Sequence, residues 1–390
     1  MIAHGTCSAY YNSGNSVTAS GYYAAQNNTG NYVNVIGEES GHNNTGYNVN
    51  GLGVGAAYSN QGNNVNAFGF YAAKAQTGCS VTASGEYAAE NNLGCFVNAI
   101  GTCSARNNTA SCINSFGYLA THGNSGLGVT AVGTKAACNN SGNFVNAIGG
   151  LSAVSNTGCH VQGLGYGSAQ SNSGCYVVAI GYQAGLSNSG SYVNAIGHQT
   201  ATCNTGKFIS ASGYNAASYN TGCWVTAIGR DAAYNNTGNY VVSNGRDAAH
   251  NNSGAYINAI GYQAAMSNSG NYVNAIGYRA AECSTCQHIN AIGVMSAYHN
   301  TGFAVSAVGS SSAYCNTADC VNAFGYRAGC LNTFIDVTLI GTCAAAHENN
   351  QLVLRSGGDY IVHCLPTVPS VTSCGALYYD SITCQVFYKP

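Results

Sequence analysis

Residues 261–276 read GYQAAMSNSGNYVNAI. Sixteen residues earlier stands GRDAAHNNSGAYINAI (245–260), and sixteen later GYRAAECSTCQHINAI (277–292). The leading glycine holds this spacing from Gly5 to Gly357, 23 glycines in one unbroken register. A fixed period in this range marks a solenoid, in which each repeat is one turn stacked on its neighbours. Counting each repeat from its glycine as position 0, position 12 is β-branched in every turn from Val17 to Val353. Position 14 is mostly Ala and position 15 mostly Ile, Leu, Phe or Val, while positions 3 and 4 are small. Position 7 is Asn in all but three of 22 turns, the exceptions being Gln76, Ser284 and Glu348.

These positions translate into a coil. V-N-A-I is a short β-strand by propensity. N-[ST]-G is turn chemistry, because Asn and Gly accept positive φ, and the position-0 glycine marks a second corner. The Y-x-A-A segment between the corners reads as a second strand with small side chains. The expected fold is therefore all-β, a parallel β-solenoid of about 22 turns. At about 4.8 Å per turn it would be about 100 Å long. Residues 1–356 form the repetitive shaft. The period is lost beyond Gly357, and residues 357–390, with Pro366, Pro369 and Pro390, read as a capping or docking segment.

Side-chain alternation along the strand sets positions 12 and 14 on one face and 13 and 15 on the other. One face fills the coil. The other leaves a ladder of Ile180, Ile196, Ile228, Ile260, Ile276 and Ile292 in need of cover. Packing of that row against copies of itself about a symmetry axis predicts a homo-oligomer, with a trimer as the expected form. Asn34, Asn50, Asn66, Asn98, Asn258, Asn274 and Asn290 at position 13 would lie beside the row. There and at position 7, stacked amides are expected to bond from turn to turn.

Charged residues make up only 6% of the chain and the net charge is −2. No basic field for nucleic acid and no polybasic membrane patch is present. No stretch approaches the apolar length of a membrane span, and no secretion signal precedes Gly5. The expected location is a virion surface or an extracellular setting reached without a signal peptide. Of the 19 cysteines, Cys79 and Cys95 share position 10 on consecutive turns, as do Cys159 and Cys175. Stacked turns bring such pairs within disulfide range. Most of the remainder read as small, half-buried fillers in a reducing compartment.

N-A-I-G-Y-x-A followed by N-[ST]-G resembles the head repeats of YadA-like trimeric adhesins. It resembles still more the fibre repeats of phage and giant-virus tail proteins. The best matches are residues 194–201, 258–265 and 274–281, and the resemblance covers residues 1–356. It implies a left-handed β-roll, three chains wide, used as a fibre or adhesive head. The ending GALYYDSITCQVFYKP (375–390) is similar to the closing segment of such viral fibre proteins. The heptad stalk, membrane-anchoring barrel and self-cleaving chaperone domain of related systems are not found in the sequence.

No arrangement of residues requires an enzyme, and no cofactor is implied. Arg230-Asp231 and Arg246-Asp247, on consecutive turns, read as a surface ion-pair quartet, with a glycosidase carboxylate pair as the rival reading. Cys283, Cys286 and His288 have the look of a metal site but lack a second pair at motif spacing; filler or a local disulfide is the expected reading. Two aromatic rows recur. Tyr166, Tyr182, Tyr214, Tyr262, Tyr278 and Tyr326 share position 1; Tyr176, Tyr192, Phe208, Trp224, Tyr240, Tyr256 and Tyr272 share position 11. They read as packing ladders. Within the second row Tyr176, Tyr192, Trp224, Tyr240, Tyr256 and Tyr272 are candidate contacts for a host-surface glycan. N-x-[ST] sequons at Asn27, Asn43, Asn107, Asn139, Asn235 and Asn251 could carry sugar themselves. The expected function is a structural fibre protein of a virus or phage particle serving attachment or decoration. The alternatives are a cell-surface filament or adhesin assembling end to end, and a glycan- or ice-binding solenoid.

Overall fold

The computed structural model describes residues 1–355 and, beyond them, only the strand backbones of 359–363, 376–380 and 385–389. The rest of the expected cap, 357–390, lies outside the described residues. The chain divides into two compact units, residues 1–205 and 206–390. In each, one short parallel strand recurs per sixteen-residue turn, as in Val17–Ser20 and Val33–Ile36 of the first unit and Ile257–Ile260 and Val273–Ile276 of the second. Pairing is parallel and in register at a separation of 16, as in Val145↔Val161 and Ile257↔Val273. No helix occurs among the described residues, and so none is long and apolar enough to cross a membrane.

The strand face divides as its alternation predicts. Val at position 12 and Ala at position 14 are buried throughout, and positions 13 and 15 point outward. Ala at positions 3 and 4 closes the narrow core from the opposite wall, as with Ala24, Ala25, Ala264 and Ala265. The largest fully buried side chains are Ile113, Ile257, Ile289 and Leu339. A buried Val contributes about 2 kcal/mol per turn, so hydrogen bonding must hold the small core in register.

The second expected strand does not form. The Y-x-A-A wall is a run of turns in which positions 2, 4 and 6 are left-handed: in the turn from Gly261 these are Gln263 (φ 54°), Ala265 (φ 51°) and Ser267 (φ 53°). Intervening amides close i→i−3 bonds, such as Gln26 N to Tyr23 O (3.2 Å) and Asn28 N to Ala25 O (3.3 Å). The left-handed residues bond outward, alternately to the turn before and the turn after. Tyr23 N donates to Thr6 O (3.2 Å), Ala25 N to Ser40 O (2.8 Å) and Asn27 N to Tyr10 O (2.9 Å). Each left-handed L-residue costs about 1–2 kcal/mol, and the stacked bonds of both neighbours hold it there. Six glycines outside the main register fall on these same positions: Gly55 and Gly167 at position 2, Gly41, Gly185 and Gly329 at position 4, and Gly123 at position 6, with φ between 61° and 65°.

Both regular glycine rows face the carbonyl of the next turn. A Cβ on Gly261 (φ 130°) would lie 2.4 Å from Gly277 O, and one on Gly30 would lie 1.9 Å from Gly46 O. The last parallel turn is two residues shorter than the count implies, with Thr338↔Leu352 and Leu339↔Val353 paired at a separation of 14. Val353 therefore occupies the column of position 14, and Gln351, buried, takes that of position 12. Asp359–His363 then returns antiparallel along Gln351–Arg355.

Candidate functional surface

The outward strand face carries the residues singled out above as an interface. In the first unit Ile36, Leu52, Phe68, Ile100, Phe116, Val132, Ile148, Leu164, Ile180 and Ile196 form a row broken only by Ser84. In the second, Ile228, Ile260, Ile276 and Ile292 hold the corresponding position, the row there broken at Asn244. Exposure is substantial: 41% for Ile196, 47% for Ile228, 38% for Ile260 and 36% for Ile292, with Ile180 and Ile276 half-buried. A shallow hollow of about 210 Å³ opens on this face between Asn146, Ile148, Gln162, Gly163, Leu164 and Ile180. Beside the row the position-13 amides bond from turn to turn: Asn50 Nδ2 donates to Asn66 Oδ1 (2.9 Å), Asn258 to Asn274 and Asn274 to Asn290 (2.8 Å each).

A second amide column lies inside. Asn172 Nδ2 donates to Asn156 Oδ1 and to Gly174 O, both at 2.8 Å, and every such position-7 Asn from Asn28 to Asn316 is fully buried. This arrangement satisfies both the side chain and the turn carbonyl at position 9, as buried polar groups require. It breaks at Gln76 and Ser284, where the sequence also departs; Asn268 Oδ1, opposite Ser284, has no hydrogen-bond partner.

The aromatic rows stack. At position 11 the first unit carries Phe144, His160, Tyr176 and Tyr192 with centroids 4.8–5.1 Å apart. The second carries Phe208, Trp224, Tyr240, Tyr256, Tyr272 and His288; the Tyr240–Tyr256 and Tyr256–Tyr272 pairs are 4.8 Å apart with planes within 6°. Within each stack the ring faces are taken by neighbouring rings, so edges and hydroxyls are what solvent meets. A sugar meeting this column would do so through those edges. At position 1, Tyr166 stacks on Tyr182 (5.7 Å) and Tyr262 on Tyr278 (5.2 Å), while Arg230 and Arg246 extend the row over Tyr214 and Tyr262. Tyr326 is exposed at the same position.

Arg230 pairs with Asp231 (3.1 Å) and Arg246 with Asp247 (3.5 Å), each within its own turn; Asn215 Nδ2 adds a bond to Asp231 Oδ1 (3.0 Å). Exposed pairs of this kind contribute about 0–1 kcal/mol. Cys283, Cys286 and His288 go separate ways. His288 stacks on Tyr272 and the Cys286 thiol donates to Thr301 O (2.6 Å). Burial holds the Cys283 thiol above its ordinary range, Glu282 adding to it. Among the described residues no three His, Cys, Asp or Glu side chains are grouped to hold a metal.

Two features escaped the sequence reading. Position 5 carries an ion-pair column, Lys74–Glu90–Arg106, in which Glu90 lies 3.7 Å from Lys74 Nζ and 2.7 Å from Arg106 Nε. Opposite charges sixteen residues apart were the available signal. Position 10 supplies an acceptor to the amide of the turn before: Asn63 Oδ1 to Tyr47 N (3.0 Å), Asn143 to Leu127 (2.8 Å), Asn271 to Ala255 (2.7 Å) and Asp319 to Phe303 (2.8 Å). The thiols of Cys95 and Cys175 do the same for Cys79 and Cys159, at 3.1 Å each. All four cysteines are free thiols. No protein-family model matches the chain, and no curated protein and no solved structure is detectably similar to it.

Proposed function

We propose that the chain is a non-enzymatic structural fibre protein of a virus or phage particle, assembling as a homotrimer and serving attachment or surface decoration. The observation that carries this reading is the exposed apolar row at position 15, flanked by the bonded amides of position 13. An apolar row of that regularity is not normal on a soluble monomer and fits burial against a second copy. The repeat's likeness to viral and phage fibre repeats supplies the rest of the proposal.

The test is mass in solution by light scattering, on the full chain and on the variant Ile228→Lys/Ile260→Lys/Ile292→Lys. A fixed mass of three chains, falling to one in the variant, is the expected result. A monomeric wild type refutes it, and a mass that grows with concentration replaces it by the end-to-end filament.

A further inference from the structure

Among the described cysteines, two pairs share a position on consecutive turns, Cys79 with Cys95 and Cys159 with Cys175. Both sit at position 10, both are half-buried, and in both the next turn carries serine. Ser111 Oγ accepts from Cys95 N (3.0 Å) and Ser191 Oγ from Cys175 N (3.1 Å). The same three-turn arrangement thus occurs twice. The backbone fixes the separation, since Phe96 N donates to Cys79 O and Tyr176 N to Cys159 O, each at 2.9 Å. Neighbouring parallel strands stand about 4.8 Å apart, inside the range a disulfide spans without backbone movement. The second thiol of each pair already lies over the amide of the first.

We propose that Cys79–Cys95 and Cys159–Cys175 are two built sites of oxidation, each closing to a disulfide that ties one turn to the next when the protein meets a small-molecule disulfide such as oxidised glutathione. One thiol loses its proton to water, and its thiolate attacks a sulfur of the oxidant and releases one glutathione. The second thiol, deprotonated in turn, attacks the protein sulfur of that mixed disulfide and releases the other. Two protein thiols and one glutathione disulfide give one protein disulfide and two reduced glutathiones. The contact with Cys95, together with burial, holds the Cys79 thiol above its ordinary range, and Cys175 does the same to Cys159. Each bridge closes a loop of one turn and resists separation of the turns it joins.

The experiment incubates the folded full chain with oxidised glutathione, blocks residual thiols and maps peptides by mass spectrometry. Cross-linked peptides joining Cys79 to Cys95 and Cys159 to Cys175, each lighter by two hydrogens, are expected. Chain first unfolded in denaturant should give mixed pairings instead. The variant Cys95→Ser/Cys175→Ser keeps a side-chain oxygen for each amide, as Ser111 and Ser191 do one turn on. It should leave Cys79 and Cys159 without a cross-link, carrying at most glutathione. Glutathione adducts without cross-links in the folded wild type, or bridges between other cysteines in preference to these, would overturn the proposal.

Discussion

Ser284→Asn should stabilise the protein, because it repairs the one break in the buried amide column of the second unit between Asn220 and Asn316. Ser284 is fully buried and its hydroxyl donates to Ala297 O (2.9 Å), leaving Asn268 Oδ1 without a donor. An asparagine there would donate to Asn268 Oδ1 and to Cys286 O, and would accept from Asn300 Nδ2, which now donates to Gly302 O. Asn108 and Asn316 make the equivalent bonds although Ala110 and Ala318 replace the glycine at position 9, so Cys286 is no obstacle. Three bonds replace one. At about 1 kcal/mol net each, less the entropy of fixing a longer side chain, the gain is about 1–2 kcal/mol. Stacked repeats need not unfold in one step, so the sensitive assay is amide hydrogen exchange. Ser269 N and Thr285 N bond the position-7 carbonyls of successive turns, and their exchange should slow by roughly 5–30-fold. Ser284→Ala, which removes the hydroxyl without repairing the column, should speed it. Unchanged or faster exchange in Ser284→Asn would refute the claim that stacked amides hold neighbouring turns together.

Other outcomes follow from the same geometry. Gly165→Ala puts a Cβ 2.4 Å from Gly181 O at φ 132° and should cost about 3 kcal/mol or more; thermal unfolding reads it. Glu90→Gln should lower stability by about 1–2 kcal/mol at low ionic strength by leaving Lys74 and Arg106 without their carboxylate, and the loss should shrink as salt is added. Burial holds the imidazoles of His42 and His122 below the ordinary histidine value, Arg106 adding to the effect on His122. The unfolded chain then binds protons that the folded chain resists, so stability should fall as pH drops below about 6.5. A double His42→Gln/His122→Gln variant should flatten that dependence in denaturation measured across pH.

The strand and the position-0 corner were legible because each obeys a rule that acts within one turn, and the asparagine column because the same residue recurs every sixteen. V-N-A-I alternates and the position-0 glycine takes a positive φ; Asn and Gly of N-[ST]-G do not, and there it is the carbonyl of the next turn that excludes a Cβ. The opposite wall was misread because Tyr and Ala carry no mark of a left-handed backbone, and the bonds that hold them there come from other turns. Gly55, Gly123 and Gly185, out of the main register, were the clue. The short last turn was hidden for a different reason: Val353 keeps the count while Gln351 takes its place in the column. At the surface, the exposed row at position 15 was predictable from alternation. The position-5 ion pairs and position-10 acceptors needed the chain to be read down its columns, since a Cys, Asn, Ser or Asp there has meaning only against the turn before.

The interrupted columns also bear on how such a chain finds itself. A one-residue slip between neighbouring turns would put Asn at position 13 into the core and is heavily penalised. A slip of one whole repeat keeps every glycine, valine and amide in its lane and costs almost nothing locally. A chain of identical turns would then have many near-equal ways to stack, the rugged condition that well-folding sequences avoid. Gln76, the Lys74–Glu90–Arg106 column and Ser284 each occur at a single place in the repeat array. They act as address marks: the two breaks forgo hydrogen bonds, and all three give the turns that carry them neighbours that no other turn can replace.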